Sequence, residues 1–212
     1  YIRFGRWHEL LALALPEDRE IYAMTTAMVY YGRAVAHAVL GQIDAATTEQ
    51  ALFEAAIPNV PKQRYMHTVR CQDILAVGRE MLAGELLYRT GDFDRAFAHL
   101  RQAVVLEDAL PYDEPWGWMQ PGRHALGALL LEQGHIEEGA TAYRADLGLD
   151  QTVIRSNQHP NNVWALQGLH MCYQKMGETR LAAMIKPALD IAQGRADQAV
   201  QSSCFCAGQT AE

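Results

Sequence analysis

Toward the end of the chain, Val200-Gln201-Ser202-Ser203-Cys204-Phe205-Cys206 sets two thiols two residues apart. Helical periodicity stops at about Ala196, and alternate residues of an extended segment share one face. Cys204 and Cys206 are therefore expected side by side, as a chelate for a soft ion such as Cu(I) or Zn(II). Further ligands are available from His124, His159, His170 or Cys172. His170 and Cys172 stand two apart, so one helix cannot turn both to the same ion. The plainer reading of the same residues is a pair of free thiols, since no paired Cys-x-x-Cys zinc spacing is present. His37 and His170 lie in apolar helical stretches, where a histidine is usually packed and hydrogen-bonded. His124 is the candidate general base, because imidazole titrates near neutrality.

Helices must position these groups. Leu82 to Ala103 reads as two amphipathic helices joined by Gly91-Asp92, with small residues at Gly84, Gly91, Ala96 and Ala103. Gly84 and Ala96 allow two backbones to approach, while Leu87, Phe93 and Leu100 fill the wedge between them. Gly91 suits the left-handed residue that ends a helix, and Asp92 can cap the next one. The offsets recur at Gly127, Gly134, Gly139 and Tyr143, then around Gly177 and Ala182, and earlier at Ala34, Gly41 and Ala46. The turn glycines Gly41, Gly91, Gly134 and Gly177 are 50, 43 and 43 residues apart, so insertions separate the hairpins.

This pattern resembles the tetratricopeptide repeat, a 34-residue helix-turn-helix unit. The segment Asp113-Glu114-Pro115-Trp116-Gly117-Trp118-Met119-Gln120-Pro121-Gly122-Arg123 is similar to one found in bacterial and fungal repeat proteins of this kind. The resemblance implies an all-α chain: a right-handed superhelical stack of hairpins (an α-solenoid) with inter-repeat insertions and an extended C-terminal tail. The expected divisions are a remnant of a preceding repeat at 1–18 and repeats at 19–58, 59–108 (with an extended first helix), 109–150 and 151–194. A tail carrying Cys-x-Cys follows at 195–212. Because the chain starts at Tyr1 with what looks like half a repeat, the natural protein is expected to continue upstream.

In such stacks the first helix of each hairpin lines a concave groove, at places ten, six and two residues before the turn glycine. Here those places hold Tyr31 and Val35; Met81, Glu85 and Arg89; His124 and Glu132; then Gln167 and Met171. The lining lacks the basic cluster with which some relatives grip carboxylate tails. Trp116 and Trp118, in the loop between repeats, are expected to anchor that loop onto the helices beneath.

A net charge of -7 argues against a general nucleic-acid surface. No run approaches the roughly 18 apolar residues of a membrane span. No basic-then-apolar leader is visible, and four cysteines without one are expected as reduced thiols in a cytoplasmic protein. The sequence thus favours a scaffold that binds a peptide or protein partner in its groove. The alternative is a copper or zinc enzyme or metal-binding protein using Cys204 and Cys206 with His124, His159 or His170. No nucleophile elbow, Walker loop or His-Glu-x-x-His motif is present. Any catalysis would therefore be metal-dependent, for instance that of a copper oxidoreductase.

Overall fold

Gly91 ends its helix with φ +83°, and the hydrogen bonds around it explain why glycine stands there. The Gly91 amide donates to the Tyr88 carbonyl, and the Asp92 amide reaches back to that of Leu87. Together these close the helix with a left-handed residue, a conformation a Cβ would strain. Asp92 then accepts from the Arg95 amide and starts the next helix. The same bond pattern recurs at Gly41, Gly134 and Gly177, so each of the four glycines separates two helices.

A computed structural model describes residues 1–207; the last five residues of the tail read from the sequence, 208–212, lie outside the described residues. The described chain is mostly helical, with one short ribbon and several loops. A short helix α1 (Trp7–Leu11) precedes hairpins α2 (Ala23–Val39) with α3 (Ile43–Ala56) and α4 (Cys71–Arg89) with α5 (Phe93–Asp108). Then follow α6 (Gly122–Glu132) with α7 (Ile136–Leu147), and α8 (Val163–Lys175) with α9 (Thr179–Gly194). No helix among the described residues is long and apolar enough to cross a membrane.

The insertion before α4 holds an element that sequence patterning does not predict: an antiparallel ribbon, β1 (Tyr65–Met66) and β2 (Val69–Arg70). Its two-residue strands are too short for an alternating pattern to be read. Buried Val69 packs against Gly117, and the Thr68 hydroxyl donates to the Tyr112 carbonyl. The ribbon thus fastens the loop that follows α5.

The described residues divide into two compact units, one from Tyr1 to Met119 and the other over 120–207. In the first, α2 packs on α1, α3 and α4, and α4 on α5. Gly84 lies so close to α5 that a Cβ there would sit 2.7 Å from Leu100 Cγ. In the second unit α6 packs on α7 and α8, α7 on α8, and α8 on α9. Its core centres on Tyr143, Leu169 and Cys172, all fully buried. The Tyr143 ring fills space left by glycine on two helices at once: a Cβ at Gly127 or Gly168 would come within 2.5 or 2.2 Å of it.

Candidate functional site

In the second unit, the polar groups converge on Asp146, near the end of α7. Its side chain has no solvent exposure, and its carboxylate accepts three hydrogen bonds. His124 Nε2 on α6 donates to Oδ2 at 2.8 Å, and His159 Nδ1 donates to Oδ1 at 2.8 Å. Asn162 Nδ2 reaches Oδ2 at 2.9 Å. The backbone joins in, with the His159 amide donating to the Asp146 carbonyl at 2.6 Å. Asn162 also caps α8, its Oδ1 accepting from the Ala165 amide. One side chain therefore ties the start of α8 to the end of α7.

Burial alone would raise the Asp146 carboxyl's pKa. The charge and hydrogen bond of His124, with those of His159, outweigh that and hold it well below the usual carboxylate range. Since the ionised carboxylate only accepts, the two ring nitrogens that face it carry the protons. The sequence places His124 on the groove face; the structure leaves it 1% exposed, its Nε2 aimed into the hairpin at Asp146.

The tail lies against this cluster. The Ser203 hydroxyl donates to the His124 carbonyl at 2.8 Å and lies 2.5 Å from the Tyr143 hydroxyl. A hydroxyl has one proton, so Tyr143 donates to Ser203. Phe205 packs on Trp164 of α8, ring centroids 5.9 Å apart, and Gln193 of α9 holds both backbone groups of Val200. Ser203, Cys204 and Cys206 are buried.

Cys204 and Cys206 are not the reduced thiols expected from the sequence. They are joined to each other in a disulfide, in a tail that turns at residues 205–206 instead of running extended. In that state the two sulfurs offer no thiolate to a soft ion. Burial pushes the Cys172 thiol up to about 12, which keeps it protonated at neutral pH. His124 and His159 do come together, with ring centroids 6.4 Å apart, but around a carboxylate. His170 is half-buried on α8. Among the described residues no group of three or more His, Cys, Asp and Glu side chains is placed to hold a metal ion.

The first unit has its own buried polar group on α2 and α4. Glu85 and Arg89 form an ion pair at 2.7 Å with little exposure on either side chain. Tyr31 packs against Phe53 and against Trp118 of the following loop, at centroid distances of 5.8 and 5.5 Å. Burial, reinforced by the Glu85 charge, pushes its phenol above the ordinary value. The Trp118 ring also covers Gly78 of α4. Trp118 therefore anchors the loop, while Trp116 stays half exposed.

Of the remaining groove places, Val35 and Met81 are buried, Gln167 and Met171 half-buried, and Glu132 exposed. Sequence reasoning missed Asp146, although a signal was present. It stands twelve residues after its turn glycine, the place that Ala103 takes after Gly91. A carboxylate where another hairpin sets a small buried residue marks a buried polar network. No protein-family model matches the chain, nor does any curated protein or solved structure.

Proposed function

We propose that the chain is a protein-interaction scaffold of the tetratricopeptide type. Its hairpins continue a right-handed superhelical stack, and the faces formed by their first helices hold extended polypeptide. The observation that carries this reading is a recurrence. In the first unit the loop after α5 lays Trp118 across α2 and α4. In the second the tail lays Ser203 and Phe205 against α6 and α8. Both times a non-helical segment uses an aromatic anchor, and in the tail backbone hydrogen bonds to Gln193 add to it. Rigid aromatic rings of this sort supply most of the contact energy of peptide complexes. The partner is thus an extended peptide bearing an aromatic residue, and on the second unit it competes with the chain's own tail. A net charge of -7 fits a neutral or basic peptide better than nucleic acid.

The test is to supply the tail in trans. Truncation after Ala196 is expected to lower the melting temperature, because it removes the buried Val200, Ser203, Cys204 and Cys206. An oxidised peptide spanning residues 197–207 should then bind the truncated chain saturably and restore part of the lost melting temperature. A truncated chain that keeps its helical circular dichroism and fails to bind the peptide would overturn the reading.

A further inference from the structure

The Cys204–Cys206 disulfide closes a loop with a single residue inside it. Cross-links stabilise chiefly by removing loop-closure entropy from the unfolded chain, and less so the shorter the loop they close. The bond is therefore a poor staple for the fold, and its effect is local. It adjoins both attachments of the tail: Ser203, which bridges Tyr143 and the His124 carbonyl, stands just before it, and Phe205, packed on Trp164, is the residue it encloses. Both cysteines are buried, at 5% and 3% exposure. The other cysteines, Cys71 and Cys172, are free and buried, their thiols' pKa values raised chiefly by burial. Neither supplies a ready thiolate, so exchange must come from outside the chain.

We propose that Cys204 and Cys206 are a redox site for dithiol reductants, and that reduction releases the tail from the second unit. A thiolate of the dithiol attacks one sulfur and forms a mixed disulfide; its second thiol then displaces the protein sulfur. The protein disulfide gains two electrons and two protons, giving two thiols, while the dithiol is oxidised to its own disulfide. Two unbonded thiols need more room than a covalent disulfide does, and both cysteines are buried against the second unit. The turn at residues 205–206 opens, Phe205 leaves Trp164, and Ser203 loses its place between Tyr143 and His124. Because both cysteines are buried, reduction waits on a local opening of the tail, and its rate levels off as the dithiol concentration rises. The inference goes beyond the scaffold reading, since it requires tail docking but no partner.

The experiment uses the full chain, dithiothreitol as the reductant, and hydrogen exchange of amides 200–207 as the readout. The oxidised chain should give two thiols on denaturation and the reduced chain four. On reduction, exchange in the tail should rise by about tenfold or more, and it should fall again on reoxidation. A Cys204→Ser/Cys206→Ser variant should exchange like the reduced chain with or without dithiothreitol. If that variant does not fold, the reduction and reoxidation of the natural chain decide alone. Four thiols in chain handled under air, or tail exchange unchanged once four thiols have appeared, would overturn the proposal.

Discussion

Ala103 and Asp146 hold the same place in successive hairpins, twelve residues after Gly91 and Gly134, and neither side chain touches solvent. Phe53 and Leu189 hold that place in the other two and are buried as well. Three of the four are apolar; the fourth is a carboxylate. The position thus demands burial but not apolarity. A methyl group satisfies it with nothing but contacts. Asp146 satisfies it because His124, His159 and Asn162 each bring a donor. A buried polar group costs little only when fully partnered, and these partners come from α6, from the loop before α8 and from the N-cap of α8. The first unit holds its helices at this place by packing alone. The second uses the same place to fix a loop and, through the His124 carbonyl, the tail.

The largest effect expected from breaking that contrast comes from Asp146→Ala, which makes the second unit resemble the first at this place. Two histidines and an asparagine lose their acceptor inside the protein, and removing one partner of a buried charged network costs about 3–5 kcal/mol. Urea unfolding should show a loss of that size. A loss below about 1 kcal/mol would mean that the hairpin tolerates alanine here as it does at Ala103, and the carboxylate would have no structural role.

The hairpins themselves are legible in the sequence because their physics is local. A left-handed glycine, an N-cap and small residues at backbone contacts act within one turn of the chain, and Gly84, Gly91 and Asp92 do in the structure what their spacing predicts. The site is not legible, for the opposite reason. Asp146 is 22 residues from His124, and Ser203 lies 60 from Tyr143 and 79 from the His124 carbonyl. No periodicity reports such pairings. The sequence offers His124 and His159 as metal ligands, because imidazole suits an ion and a carboxylate equally well. The cysteines mislead because a Cys-x-Cys in an extended strand and one closed on itself have the same sequence; only the turn at residues 205–206 separates them.

Acid should sharpen the comparison. The folded Asp146 carboxyl is held below its unfolded value of about 3.9. A depressed carboxyl stabilises the fold fully above the unfolded value and loses that contribution as pH falls toward the folded one. The Asp146 carboxyl's own share of stability should therefore be constant down to about pH 4.5 and decline below it. Asp146→Asn removes the titrating group. Between about pH 4.5 and 2.5, the natural chain should lose at least about 1.4 kcal/mol more than the Asn variant, the equivalent of one pKa unit. Parallel stability curves for the two would show that Asp146 is not held ionised by its histidines.

The smallest expected effect tests how the tail is held. Tyr143 stands nine residues after Gly134, as Leu100 does after Gly91, and each packs where a helical glycine leaves room. The second hairpin thus adds a hydroxyl to what the first does with an aliphatic side chain. Tyr143→Phe keeps the ring between Gly127 and Gly168 and removes only the donor to Ser203. Ser203 still donates to the His124 carbonyl, so the loss should be about 1 kcal/mol. Ser203→Ala strands the buried Tyr143 hydroxyl and frees the His124 carbonyl, and should cost more, up to about 3 kcal/mol. The inequality matters more than either figure. If the serine is the bridge between tail and core, its variant should raise hydrogen exchange at 200–207 well above that of Tyr143→Phe, and the double variant should fall short of their sum. Equal, additive losses would mean that the two hydroxyls act separately, leaving Phe205 on Trp164 and Gln193 on Val200 to hold the tail.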